Sequence, residues 1–159
     1  MASLNLVIRP ARAGDGASVF EITRDSVAGL AGDFYSEQQI INWMGERTPE
    51  FYENLISHGR MFVAVREDGR AVGFVDTVPG EVTRMFILPE AAGQGLGSHL
   101  LALGIAKASE GFSGPITVEA TLNAVRFYEK HGFVALHRSI SSHAVGGATF
   151  EIMHMELVK

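Results

Sequence analysis

The sequence predicts a mixed α/β fold, a central and mostly antiparallel sheet flanked by helices, on three observations. Short runs of branched and aromatic residues bounded by Gly or Pro alternate with stretches of helical spacing. Two such runs, Met61 to Arg66 and Ala71 to Asp76, flank Glu67-Asp68-Gly69-Arg70, whose Asp-Gly pair is a hairpin signal. In the third, Val82 to Leu103, an apolar run Met85-Phe86-Ile87-Leu88 stops at Pro89-Glu90, passes through Gly93-Gln94-Gly95-Leu96-Gly97-Ser98 and gives way to the helical His99-Leu100-Leu101-Ala102-Leu103. That unit is strand, glycine loop, helix.

Taken in order, Leu4 to Pro10 reads as a first strand ended by proline, and Asp15 as the cap of a helix carrying Val19, Phe20, Ile22 and Val27. Gly29 to Gly32 interrupts. Ser36-Glu37-Gln38-Gln39 has the cap-and-acid pattern of a helix start before Ile40, Ile41, Trp43 and Met44, and Thr48-Pro49-Glu50 starts another, with proline in the first turn where its missing N–H costs nothing. The aromatic residues Phe34, Tyr35, Trp43 and Tyr52 fit either a pocket or ordinary packing, with packing the commoner outcome. After the hairpin, Val78-Pro79-Gly80 turns the chain into a strand beginning at Glu81. Helix Gly97 to Glu110 is apolar along Leu100, Leu101, Gly104 and Ile105 and ends at Gly111 and Gly114-Pro115. Ile116 to Ala120 is a strand, and Asn123 to His131 a short helix closed by Gly132 as a left-handed cap. Phe133 to Ile140 and Thr149 to Leu157 form a last antiparallel pair around Gly146-Gly147.

The length of 159 residues suits one domain over 1–159, able to hide roughly two-thirds of its unfolded surface. Hydrophobic residues make up 47% and charged ones 19%, an ordinary folded composition. No apolar stretch spans a bilayer and no signal sequence opens the chain, which predicts a cytoplasmic protein without membrane contact. The absence of cysteine removes disulfides, thiolate nucleophiles and cysteine zinc sites. A net charge of −5 without a long basic run weighs against nucleic acid. His58, His99, His131, His137, His143 and His154 show no metal-ligand spacing, so no metal is expected.

Alternating glycines at a helix start let the backbone take positive φ and leave no side chain between its amides and a ligand, while the helix dipole adds positive potential. The bland alternative, a tight connection and nothing more, is common for glycine clusters. A nucleotide-triphosphate loop needs a lysine beside Ser98, and Gly93-x-Gly95-x-x-Ser98 lacks the third glycine of the dinucleotide fingerprint. Neither fits.

The stretch resembles the coenzyme-A loop of the GCN5-related N-acetyltransferases (GNAT), a strand, then Pro-Glu, then Gln/Arg-Gly-x-Gly-x-Gly/Ala. Ala92 to Gly97 matches it except at Ala92. Downstream, Asn123-Ala124-Val125-Arg126-Phe127-Tyr128-Glu129-Lys130-His131-Gly132-Phe133 is similar to that family's Asn-Ala-x-x-Phe-Tyr-x-x-x-Gly-Phe segment. Two motifs in the right order are more specific than either alone. The resemblance implies the GNAT-like acyl-CoA N-acyltransferase fold and transfer of an acetyl group from acetyl-CoA, a cosubstrate, to an amine of a small molecule or peptide in a ternary complex. It also implies coenzyme contacts at Met85, Phe86 and Ile87 on the strand, at Gly93, Gln94, Gly95, Leu96, Gly97 and Ser98 in the loop, and more weakly at Asn123 or near Thr121. It makes Tyr128 the proton donor to the departing thiolate and Glu81 the base, with Glu119 or water as alternatives. Strict alternation would put Glu81, Thr83, Met85 and Ile87 on one face. Two rival readings stay open, a catalytically idle acyl-CoA-binding module of the same fold and a structural interaction domain. The acceptor and the oligomeric state are not written in any motif, although the late strands offer a route to a homodimer.

Overall fold

The computed structural model describes residues 6–29, 34–45, 47–141 and 150–158. The expected start of the first strand at Leu4 and Asn5, the interruption at Leu30 to Gly32, and the Gly146-Gly147 turn with Thr149 lie outside them.

Among the described residues, seven strands form one sheet. They are β1 (Leu6–Pro10), β2 (Met61–Arg66), β3 (Ala71–Val78), β4 (Glu81–Ile87), β5 (Thr117–Thr121), β6 (Phe133–Ile140) and β7 (Glu151–Leu157). The order across the sheet is β1-β2-β3-β4-β5-β7-β6, and among the described residues β4–β5 is the one parallel pairing. The helices are α1 (Gly16–Ala28), α2 (Glu37–Met44), α3 (Pro49–Ile56), α4 (Leu96–Ser109) and α5 (Val125–Lys130). The predicted mixed architecture is what the chain adopts. The sequence did not order the last two strands, and β7 enters between β5 and β6.

Local chemistry fixes most boundaries. Ser36 makes the full capping box with Gln39, and Thr48 caps α3 ahead of Pro49. Asp15 does not cap α1 as expected. Its carboxylate takes two hydrogen bonds from the Arg9 guanidinium, at 2.8 and 3.1 Å, and one from the Arg12 amide, which hold it below the usual carboxylate range. The α1 N-terminus instead rests on Glu53 of α3, whose carboxylate accepts from the Gly14 and Gly16 amides.

The sheet has two packed faces, since successive strand residues point opposite ways. On one face, α4 lies so close that a β-carbon at Gly104 would come within 2.8 Å of Val75 Cγ2, and Leu100 and Leu101 are fully buried. Burying each such leucine is worth roughly 1.5–3 kcal/mol. On the other face Phe86 meets Trp43 of α2 and packs on Phe74, and Arg84 lies over Phe51 of α3. Among the described residues no helix is long and apolar enough to cross a membrane.

One irregularity in β4 shapes everything that follows. Asp76 pairs with Arg84 and Thr77 with Val82, so Thr83 has no opposite number on β3 and forms a bulge. Bulges bend the strand and end regular pairing. On the other side of β4 the parallel ladder with β5 contains Glu81↔Thr117 and Val82↔Val118 and then stops. Beyond Val82 the two strands part, leaving a wedge in the middle of the sheet.

The bulge also resets the alternation. Val82 and Ile87, five residues apart, both face α4, against Gly104 and Gly97 respectively. Glu81 therefore lies on the opposite face from Met85 and Ile87, which corrects the expectation that these share a side.

Candidate active site

The wedge between β4 and β5 is lined by Thr83, Arg84, Met85 and Phe86 on one side and Glu119 and Thr121 on the other, with Tyr128 and Phe127 of α5 and Trp43 of α2 closing it. It holds a cavity of about 90 Å³. A wider opening of about 310 Å³ adjoins it, lined by Met85, Phe86, Ile87, Ala92, Gly97, Thr121, Asn123 and Phe127. The sequence-predicted strand residues, Gly97, Asn123 and Tyr128 thus gather around two connected spaces. Glu81 does not line either of them. It sits at the closed end of the wedge, where β4 still pairs with β5, and the carboxylate that lines the cavity is Glu119.

The glycine loop supplies amides. Gly93 and Gly95 adopt φ of 78° and 82°, which side-chain-bearing residues rarely take, and this conformation turns the chain into α4. None of the amides from Gly93 to Ser98 donates to another protein group among the described residues. Six neighbouring undonated N–H groups at a helix start are an arrangement able to receive an anion. Gln94 is exposed and the Leu96 side chain is buried, so Leu96 can offer only its backbone. Gly97 is needed for space, because a β-carbon there would stand 3.1 Å from the Phe127 ring.

Helix α5 is tied to this loop through a histidine. His131 Nδ1 donates to the Phe127 carbonyl at 2.8 Å, which leaves Nε2 to accept from the Ser98 hydroxyl at 2.8 Å. The His131 ring also packs on Phe127, with centroids 4.5 Å apart. The two GNAT-like sequence segments are therefore in contact.

Tyr128 is 5% exposed, and its hydroxyl makes no hydrogen bond to the protein among the described residues. Burial pushes its phenol well above the ordinary value. It stays protonated at any working pH and offers a hydrogen bond into the wedge.

Of the four aromatic candidates, Trp43 alone lines the cavity. Tyr35 stacks on Phe150 at 4.1 Å and works as a brace, its hydroxyl donating to the Glu151 carbonyl and accepting from the Leu122 amide. Tyr52 is core, and Phe34 is half exposed.

Arg84 was not singled out in the sequence, although a lone arginine inside Val82-Thr83-Arg84-Met85-Phe86-Ile87 is an available signal. Its side chain is 9% exposed and lies 3.7 Å from the Asp76 carboxylate, itself buried. Loss of water outweighs their attraction, pushing Asp76 up to about 6 and Arg84 down. A carboxyl whose folded value is raised stabilises the fold when protonated and loses that contribution as pH rises through about 6. Hence the stability difference between wild type and Asp76→Asn should move toward wild type as pH falls from about 6 to 4, by up to ~1.4 kcal/mol per pH unit. Paired melting curves across that window check it, and a flat difference would show Asp76 ionising normally. Asp15, whose shift runs the other way, acts only below this window.

Among the described residues no group of three or more His, Asp or Glu side chains is placed to hold a metal. The profile described as "Acetyltransferase (GNAT) domain" matches residues 32–157. The chain is 30% identical over 129 residues to an uncharacterised N-acetyltransferase, YafP, of Escherichia coli strain K12, covering 81% of each chain. Its fold matches a GCN5-related N-acetyltransferase structure from Rhodopseudomonas palustris with a TM-score of 0.87 at 25% identity, over 100% of this chain and 99% of that one. A second fold match, TM-score 0.71 at 22% identity over 98% and 100% of the chains, is the PaiA N-acetyltransferase of Thermoplasma acidophilum, solved in complex with coenzyme A.

Proposed function

The chain belongs to the GNAT acetyltransferase family, and we propose on that premise that it transfers the acetyl group of acetyl-CoA to an amine of a small molecule or peptide within one ternary complex. The observation that carries this reading is the wedge opened at the Thr83 bulge, because it joins three requirements of the reaction in one place. The undonated loop amides offer a seat for pyrophosphate. The unpaired edge of β4 from Thr83 to Ile87 offers backbone partners for the pantetheine arm and the thioester carbonyl. Tyr128 offers a proton where the thiolate forms. The coenzyme A bound by the Thermoplasma protein of the same fold agrees with this use of the opening.

The reaction needs a neutral amine. Glu119, which lines the cavity and accepts from the Ser141 hydroxyl at 3.3 Å, takes the ammonium proton directly or through water. The amine nitrogen then bonds to the acetyl carbon, the carbon–sulfur bond breaks, and the sulfur leaves with the electron pair. A buried phenol is a weaker acid than a thiol, so Tyr128 acts first by donating a hydrogen bond to the growing negative charge, its proton following as the bond breaks, and the second proton, shed by the nitrogen as the amide forms, restores the phenol directly or through water. The protein would reside in the cytoplasm, where acetyl-CoA is made available.

The test is release of free thiol from acetyl-CoA with a panel of amines, alongside calorimetry with coenzyme A. Amine-dependent thiol release is the expected result. Coenzyme binding with no turnover across a broad panel would leave an acyl-CoA-binding module, and absence of binding would remove the site.

A further inference from the structure

The proposed transfer explains the loop, Tyr128 and Glu119 but leaves the far wall of the cavity without a task. Arg84 lines that wall, nine-tenths buried, with a long 3.7 Å contact to Asp76 and a buried Nε that has no partner. Trp43, which lines the same cavity, also carries a buried polar atom without a partner, its Nε1, while the Thr83 hydroxyl lies against the Asp76 carboxyl. Buried donors left unmatched cost about 1–3 kcal/mol each, and their meeting around one small space asks for a ligand that accepts hydrogen bonds. An indole N–H and a guanidinium N–H are donors suited to a carboxylate. The raised Asp76 and lowered Arg84 agree, since each is incompletely compensated by the other.

The bulge places the opposite charge on the same face. Glu81 pairs with Thr117, and Glu119 lies two residues further along β5. It therefore points to the side occupied by Arg84, Phe86 and Trp43, away from α4. A cavity of about 90 Å³ with a cation at one wall and a carboxylate at another matches a small zwitterion.

We propose that the acceptor is a small amino acid, its carboxylate held by Arg84 with Trp43, and its amine turned toward Glu119 and the thioester. This rests on the acetyl-transfer reading above. The buried Arg84–Asp76 pair as a purely structural contact is the alternative. It predicts no preference for carboxylate-bearing amines.

Trp43 is the single tryptophan of the chain and lines the cavity, so its fluorescence reports occupancy. The experiment titrates the protein, saturated with coenzyme A, with small amino acids, their carboxamides and the decarboxylated amines, and measures acetylation of the same set. Amino acids should bind and react about ten- to a hundredfold better than their carboxamides, the worth of a charge-assisted contact. In the double variant Arg84→Gln/Asp76→Asn, which removes both buried charges and strands neither, that ratio should fall to near one. The ratio is insensitive to a general loss of folded protein. Equal binding and reaction of acids, amides and amines overturns the subsite while acetyl transfer stands. Binding of amino acids without acetylation supports the subsite and overturns the transfer. If no member of the set binds or reacts, both fall.

Discussion

Replacing Tyr128 with phenylalanine should lower acetyl turnover by roughly ten- to ten-thousandfold while leaving the affinity for acetyl-CoA nearly unchanged. The substitution keeps a ring that packs against Phe127 and Phe133, with centroids 5.3 and 5.5 Å away, and deletes one hydroxyl that makes no bond to the protein. Removing an unpartnered hydroxyl costs the fold little, so melting temperature should hold or rise slightly. A fall in turnover at constant affinity marks an interaction made mainly in the transition state. Steady-state kinetics and melting on one preparation check it. Wild-type turnover in the variant would assign the proton to water instead. Because burial holds the phenol above its ordinary value, wild-type activity should show no loss from Tyr128 ionisation up to pH 10.

Gly97→Leu should weaken coenzyme A binding by about a hundredfold or more, the upper end of what overpacking costs. A β-carbon there would stand 3.1 Å from the Phe127 ring and 3.4 Å from Ile87 Cδ1, and both residues line the wider opening. The larger side chain must either push α5 away, breaking the Ser98–His131 tie, or fall into the space meant for the ligand. Calorimetry with coenzyme A is the measurement. Unchanged affinity with an intact circular dichroism spectrum would take the α4 N-terminus out of the site. Gly95→Ala tests a different cause, since nothing lies within 4 Å of a β-carbon at Gly95 and the penalty there comes from its φ of 82°. That conformation costs an alanine roughly 1–2 kcal/mol.

Much of the fold was legible because its signals are local. The Asp68-Gly69 hairpin, the Ser36 capping box, the Thr48-Pro49 helix start and the left-handed Gly132 depend on a few neighbouring residues, and each took the expected form. Asp15 failed as a cap because Arg9, on the preceding strand, bids for the same carboxylate. The insertion of β7 between β5 and β6 is a choice between distant pairings that no short stretch records. The site divides the same way. The glycine loop and the Tyr128 segment stand out as patterns, whereas the face on which Glu81 lies depends on a bulge, and the pairing of Arg84 with Asp76 on register across a hairpin. Trp43 differs from Tyr35 and Tyr52 only through what the tertiary fold sets against it.

The bulge at Thr83 makes the wedge a matter of chain length. With that residue deleted, Val82 and Ile87 would still face α4, and Arg84 and Phe86 would still face α2 and α3, because alternation would then run unbroken from Glu81 to Ile87. Apart from those of the buried Thr83 itself, the core-facing positions of β4 would keep their sides, the ladder between β4 and β5 would be free to continue, and the slot would zip shut. Such a shortened protein should fold at least as well as the parent and fail to bind coenzyme A, and measurable binding would contradict this account. The slot is in that sense an unspent residue, a surplus in one strand that its neighbours do not match and whose removal a thermal melt alone would pass as an improvement.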